Sequence, residues 1–411
     1  MTNAVELDET MVENEGVIHD VVEADDEVEI EEVADKETEL QTSVYAVKSV
    51  SDDEKKSAKD LGVSFRSFLK KSYSIDICDP ISGTVPSGID VLDTILGGGF
   101  ATGLTMIVSA SGAGKSTLAA KIISTCQKKY AGKMITVYAD SEEAMTKDRL
   151  SELGVRYPEE EPITDITVEK IFKIVDGICA FKEEHPELID LPSIIVWDSI
   201  ANTLTEKGEL EDDMNKVMGE KARLLAFALP KYVKKLNKFK ICLIAINQLR
   251  DKINIGNMPK APDLKWLNDK KIPGGNSVIY NTKQIIFLKP SSDIKPDELG
   301  FNGMFIDGFT IKNKLFTPHI AFSLVFSFEK GFSNFWSNWN MLKDFKRIVV
   351  SGGWCRIIDI PDMKFRQKEA ASLYINNPAF RDAFDNNVKD VLQNEYFKPY
   401  KSGSRNDSLV D

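Results

Sequence analysis

"IVSASGAGKSTLAAK", residues 107–121, decides how the rest of the chain is read. An apolar run enters a turn holding two glycines, and the turn opens into a run of helix formers. Such a strand–turn–helix leaves several backbone N–H groups aimed at one point, where the helix dipole also favours an anion. The pattern is close to G-x-x-x-x-G-K-[ST], with Ser109 standing where the first glycine would be. Ser109, Ala110, Ser111, Gly112, Ala113, Gly114, Lys115 and Ser116, with Thr117 following, form the expected phosphate cradle. Lys115 is placed to reach the β/γ oxygens, and the Ser116 hydroxyl is placed to ligate Mg²⁺. A nucleotide is therefore expected. The loop alone does not say why it is held, because kinases, motors, switches and filament formers share it.

Working outward, strand and helix patterns alternate: "LTMIVSA", "KSTLAAKIISTCQKKY", "MITVYAD", "VEKIFKIVDGICAFKEE", "SIIVWDSI", "EKARLLAFALPKYVKKLNKF" and "ICLIAINQ". The strands are nearly continuous apolar runs, as when helices cover both faces of a parallel sheet. The later runs "QIIFLK", "MFIDGFTIKNKLF" and "HIAFSLVFSF" lack long helices between them and read as an antiparallel extension. The expected fold is α/β, a mostly parallel sheet of the phosphate-loop ATPase type.

Chemistry gathers at the strand ends. "IIVWDS" puts Asp198 where a carboxylate holds Mg²⁺, directly or through water. "VYADSEE" supplies Asp140, Glu142 and Glu143; Glu142 is favoured as the base acting on water, with Glu143 next, while either neighbour also reads as a solvated loop charge. "ICLIAINQ" ends in Asn247 and Gln248, two amides able to bond a γ-phosphate. Beyond them, about twenty-five residues run to Gly274 and Gly275 without apolar periodicity, longer than most passive loops. This segment carries Arg250, Lys252, Lys260, Lys265, Trp266, Lys270 and Lys271. Cations around an aromatic suit a single-stranded backbone with stacked bases. "TEKGELEDDMNKVMGEK", which includes Lys216, reads as a second mobile segment.

The net charge of −12 hides an asymmetry. Residues 1–41 hold sixteen carboxylates and one lysine, about −15, which leaves the remaining body near +3. Such a tail cannot bury enough apolar surface to fold alone. It is expected to be a disordered tail over 1–50, either solubilising or competing with nucleic acid for basic loops. Residues 53–72 read as an amphipathic helix that docks either on a neighbour or on its own core. The chain has five cysteines, none of them in a CxxC pair, and three distant histidines; reduced thiols and no His-based metal site are expected. No run reaches the ~18 apolar residues of a membrane span, and the acidic N-terminus is unlike a secretory signal. A cytoplasmic protein with no membrane partner is expected.

The ordered motifs resemble the RecA family, and most of all the UvsX-type recombinases of large tailed phages, from Val85 to about Leu392. "VPSGIDVLDTILGGG" is similar to the family's entry to its ATPase core, "DSEEAMTKDRLSELGV" to its catalytic-glutamate segment, and "INQLRDKI" to its γ-phosphate sensor and second DNA loop. The resemblance implies an ATP- and Mg²⁺-dependent recombinase that forms a helical homo-oligomer on single-stranded DNA and pairs it with homologous duplex. Mediator and single-strand-binding proteins are implied partners, and a phage-encoded member would act in the host cytoplasm. It places the catalytic role on Glu142, the sensor on Gln248, and the first DNA loop around residues 204–219. "TIKNKLFTPH" resembles the paired lysines, here Lys312 and Lys314, that reach ATP on the adjacent protomer. Arg149 sits where relatives carry a base-stacking tyrosine, and arginine also stacks. The implied domains are an oligomerisation segment at 51–84, the core at 85–330 and a small C-terminal domain at 331–411. A ring-forming motor of the same fold, a small-molecule kinase and a non-enzymatic DNA scaffold are the rival expectations.

Overall fold

The computed structural model describes residues 83–156, 161–211, 213–251 and 270–397. These lie within one unit, Cys78–Asp411. The expectations for the acidic tail, for the 53–72 helix, and for Lys252, Lys260, Lys265 and Trp266 fall outside the described residues.

The central sheet contains, in chain order, β1 (Gly103–Ser109), β2 (Thr136–Asp140), β3 (Ser193–Asp198), β4 (Ile241–Gln248), β5 (Gln284–Ile294), β6 (Gly303–Asn313), β7 (Ala321–Ser327) and β8 (Gly331–Ser333). Across the sheet they run β8-β7-β6-β5-β1-β4-β3-β2. The pairs among β1 to β5 are parallel, and those from β5 to β8 are antiparallel. The expected parallel sheet with an antiparallel extension is present.

Side chains alternate across a strand, so parity assigns each apolar residue to a face. On β3, Ile194 and Val196 join one buried cluster while Ile195 and Trp197 join the other; β4 divides Cys242, Ile244 and Ile246 from Ile241, Leu243 and Ala245 in the same way. The first face is covered by α1 (Asp90–Ile95) and α2 (Lys115–Lys129), the second by α4 (Val168–Glu184) and α5 (Met214–Lys238). Between α2 and α4 lies the short α3 (Lys147–Glu152), and between α5 and β5 lies α6 (Asn276–Asn281). Two covered faces explain why these strands read as continuous apolar runs.

Two boundaries differ from expectation. Helix α5 begins six residues before Glu220, within the segment expected to be mobile. Its first turns, "MNKVMGE", contain helix formers that the mixed charge obscured. Gly331–Ser333, just past the expected end of the core at 330, pairs with β7 as the edge strand of the sheet.

After β8 come α7 (Asn334–Asp344), a hairpin of β9 (Ile348–Ser351) with β10 (Trp354–Ile357), and helices α8 (Ala370–Asn376) and α9 (Pro378–Asp390). Their apolar residues belong to the same cluster as the first sheet face. Phe335 stacks on Phe384 at 4.9 Å, and Phe332, Trp336 and Trp339 are buried, so these aromatics are core. Cys126, Cys179, Cys242 and Cys355 are buried free thiols, and burial pushes Cys126 up to about 12.

Candidate active site

Strand register gathers the functional strand ends. Ser109 at the end of β1 pairs with Gln248 at the end of β4, and Asp140 of β2 pairs with Asp198 of β3. All four lie along one edge, outside the carboxyl ends of the parallel strands, where open α/β sheets bind ligands.

The loop after β1 turns through Gly112 (φ 80°) and Gly114 (φ 75°), and α2 starts at Lys115. Gly114 occupies the N-cap position with no side-chain cap, so the first-turn N–H groups stay free for an anion. A Cβ at Gly114 would lie 3.1 Å from Phe332 Cζ and 3.2 Å from Phe326 Cε2; the antiparallel extension thus packs directly on the cradle. Lys115 Nζ donates to Ser109 Oγ and to Ala110 O, each at 2.9 Å. Burial lowers its pKa, while Asp198 and Glu142 oppose the shift.

Ser116 Oγ donates to Asp198 Oδ2 at 2.6 Å, and Tyr138 OH donates to the same oxygen at 3.0 Å. Burial pushes Asp198 up to about 6 despite both bonds. Gln248 Nε2 donates to Glu142 Oε1 at 2.9 Å and Oε2 at 3.1 Å, and Ser199 Oγ donates to Oε1 at 2.5 Å. Asp140 accepts backbone N–H bonds from Glu142, Ala144 and Met145, so it shapes the turn that presents Glu142. Lys115, Ser116, Thr117, Glu142, Asp198 and Gln248 line one cleft of about 280 Å³ with the glycines of the loop. Larger clefts of about 450 and 540 Å³ lie elsewhere and contain no phosphate loop.

The turn after β3 is tied down on several sides. Ser141 Oγ donates to Asp198 O at 3.1 Å, Thr203 Oγ1 donates to Ser199 O at 2.8 Å, and Trp197 Nε1 donates to Thr203 Oγ1 at 2.7 Å. Ile200 N bonds Ile246 O on β4 at 3.0 Å. Lys221 of α5 donates its ammonium to Ile200 O and Ala201 O. Burial holds Lys221 down at about 8, and the positive charge of Arg250 acts in the same direction.

The expected second DNA segment leaves β4 at Gln248. Its ends pair: Arg250–Asp251 lies antiparallel to Lys270–Lys271. Asn247 Nδ2 donates to Pro273 O at 2.9 Å, and Gly274 and Gly275 take positive φ values of 96° and 82° before α6. Lys216 is exposed near the start of α5 and pairs with Glu211 at 3.6 Å and Asp213 at 3.9 Å.

Lys312, Lys314 and Arg149 do not line this cleft. Lys312 Nζ donates to Ile279 O at 2.8 Å, and Lys314 Nζ to Tyr280 O at 3.4 Å. Lys312 pairs with Ile285, which pairs with Met106; Ser109 lies three residues beyond, roughly 10 Å along the strand. Arg149 donates to Phe328 O and Glu329 O at 3.3 and 3.2 Å and pairs with Glu152 at 3.0 Å.

The family model of the RecA N-terminal domain matches residues 73–333, more than half of the chain. The chain belongs to the RecA family. Protein RecA of Ehrlichia ruminantium (strain Gardel) is 29% identical to it over 316 residues, covering 75% of this chain and 81% of the relative. Protein RecA of Cytophaga hutchinsonii is 26% identical over 330 residues, 79% and 85% of the two chains. Protein RecA of Francisella tularensis subsp. novicida is 28% identical over 313 residues, 75% and 80%.

In this RecA-family chain the donors fit Mg²⁺. Ser116 and Asp198 offer two hard oxygens 2.6 Å apart beside the phosphate cradle. Among the described residues no group of three His, Cys, Asp or Glu is placed to hold a metal ion. Tyr138, Ser141, Ser199, Thr203 and Lys221 escaped the sequence reading. The pairing of β2 beside β3 joins the first four to the site, and the packing of α5 on the turn after β3 brings in Lys221. Among the described residues no helix is long and apolar enough to cross a membrane.

The raised Asp198 has a consequence for stability. Between about pH 4 and 6 the native carboxyl holds a proton that the unfolded chain has released. Stability of protein without added nucleotide or magnesium should therefore fall as pH rises through this window. Asp198→Asn should raise the melting temperature at pH 7 by a few degrees, about 1–2 kcal/mol, while losing activity. Calorimetry at pH 4.5 and 7 checks it; equal effects at both values would refute the assignment.

Proposed function

We propose that this RecA-family chain is a DNA-dependent ATPase and recombinase that polymerises on single-stranded DNA and exchanges it with homologous duplex. The carrying observation is the bond from Gln248 to both oxygens of Glu142. The residue proposed to act on water is held by the residue from which the long basic segment departs.

In this mechanism the loop N–H groups and Lys115 hold the β/γ-phosphates. Ser116 and Asp198 would hold Mg²⁺, which when bound would neutralise phosphate charge. Glu142 orients the attacking water and takes its proton. Release of its bond to Gln248 or Ser199 frees a further lone pair for that water. Gln248 can exchange Glu142 for the γ-phosphate, coupling nucleotide to Arg250 and the segment beyond, a ligand-biased two-state element.

Lys312 and Lys314 act on ATP held by the next protomer, in keeping with their separation from their own cleft. Arg149, whose guanidinium bonds the carbonyls of Phe328 and Glu329, is the residue proposed to meet the base. Lys216, Lys252, Lys260, Lys265, Trp266, Lys270, Lys271, Gly274 and Gly275 belong to the DNA-facing loops. The domain roles follow the same plan: an acidic tail, an oligomerisation segment, the ATPase core and a C-terminal lobe. Affiliation with phage UvsX-type recombinases, and action in the cytoplasm of a host, rest on the order of the sequence motifs.

Phosphate release measured with and without poly-dT, followed by electron microscopy of the same mixture, tests this function. Stimulation with helical filaments supports it. Rings, or hydrolysis indifferent to DNA, would replace it with a motor or a kinase.

A further inference from the structure

Lys221 is a charged side chain turned inward from α5, and the turn it grips is the one that presents Ser199 to Glu142. Its ammonium donates to Ile200 O and Ala201 O, the two carbonyls directly after Ser199. Ser199 Oγ in turn donates to Glu142 Oε1 at 2.5 Å. The same turn receives both loop regions. Helix α5 carries Lys221 two turns after its start at Met214, and that start lies inside the proposed first DNA segment, residues 204–219. A Cβ on Gly274 would lie 3.2 Å from Ile200 Cγ2, so the close of the second segment packs on the same residue. Ile200 N bonds Ile246 O, two residues before Gln248.

We propose that Lys221 is a positioning residue that holds the Ser199 turn against Glu142 and releases it when DNA displaces the start of α5. The proposal rests on the function above. The physical reasoning is local. With two donors on Oε1 and one on Oε2, Glu142 has few lone pairs left for water. A charge-assisted contact to two carbonyls keeps Ser199 in place. Shifting α5 by a fraction of a turn moves the ammonium away from both carbonyls, since hydrogen bonds weaken steeply with misalignment. Ser199 then departs, and Glu142 Oε1 becomes available.

The test measures ATP turnover by full-length wild type, Lys221→Met, Lys221→Arg, Ser199→Ala and the Lys221→Met/Ser199→Ala double variant, each with and without poly-dT. Lys221→Met should raise the DNA-free rate about tenfold or more, the lower end of what one lost charge-assisted contact is worth, and shrink the stimulation ratio by a similar factor. Lys221→Arg, whose fork also reaches two carbonyls, should restore the wild-type ratio. Ser199→Ala should reproduce the Lys221→Met effect, and the double variant should add little, because both act on one contact.

Unchanged stimulation in Lys221→Met, independent multiplication in the double variant, or an equal loss of both rates in the Met and Arg variants would each overturn the inference. If wild type itself is not stimulated by poly-dT, the proposed function fails, and that result is separate from any behaviour of Lys221.

Discussion

Glu142→Gln should bind ATP and stay on single-stranded DNA while hydrolysing about 10²–10⁴-fold more slowly, the usual contribution of a positioned general base. Glutamine keeps the side chain's shape and can still accept from Ser199 Oγ, which sits 2.5 Å from Oε1. It cannot take a proton from water. Single-turnover hydrolysis and nucleotide-binding titrations together check this. Wild-type turnover would move the role to Glu143, which stands next in the chain with φ of 52°. Lys115→Ala is the informative contrast. It should lose productive nucleotide binding itself, because Lys115 lies within the cradle, bonded to Ser109 and Ala110.

Lys312→Ala combined with Lys314→Ala should leave the protomer folded and weakly able to bind ATP, yet lower DNA-stimulated turnover by about 100-fold or more, as loss of a trans-acting cation does in phosphoryl transfer. Within their own chain these lysines bond the carbonyls of Ile279 and Tyr280 at the end of α6. Folding should therefore change little, since backbone carbonyls at a helix end accept water readily. Mixing this variant with Glu142→Gln is decisive for their trans role. An interface combining intact lysines from one chain with intact Glu142 from the other is complete, so partial activity should return. No recovery at any ratio, with coassembly confirmed by light scattering, would refute a shared site.

Much of this was legible from the chain. β4 and α4 carry clear signals, a six-residue apolar run ahead of two amides and a 3.6-residue apolar period, and both occupy their expected spans. The cradle was legible because its chemistry needs contiguous residues. Asp198 and Gln248 were legible because each ends an apolar strand, and Glu142 because it follows one by two residues, where open α/β sheets place functional groups.

What escaped depended on contacts between distant residues. Tyr138 looked like one more apolar residue of β2, yet its hydroxyl meets Asp198 sixty residues on. Ser199 and Thr203 looked like ordinary turn residues, and Lys221 like one of many lysines on a helix. The start of α5 was hidden because solvated charge and mobile loop look alike in composition. Parity and register carry such information, and both depend on how strands pair.

The most direct test of the central claim is a strand-exchange measurement. A labelled single strand is mixed with homologous duplex, this protein, ATP and Mg²⁺, and transfer of the label into duplex is followed over time. The account predicts homology-dependent transfer by wild type, none with heterologous duplex, and none by the Lys115→Ala variant. Unwinding of the duplex irrespective of homology, or ATP-dependent DNA binding without any transfer by wild type, would contradict it.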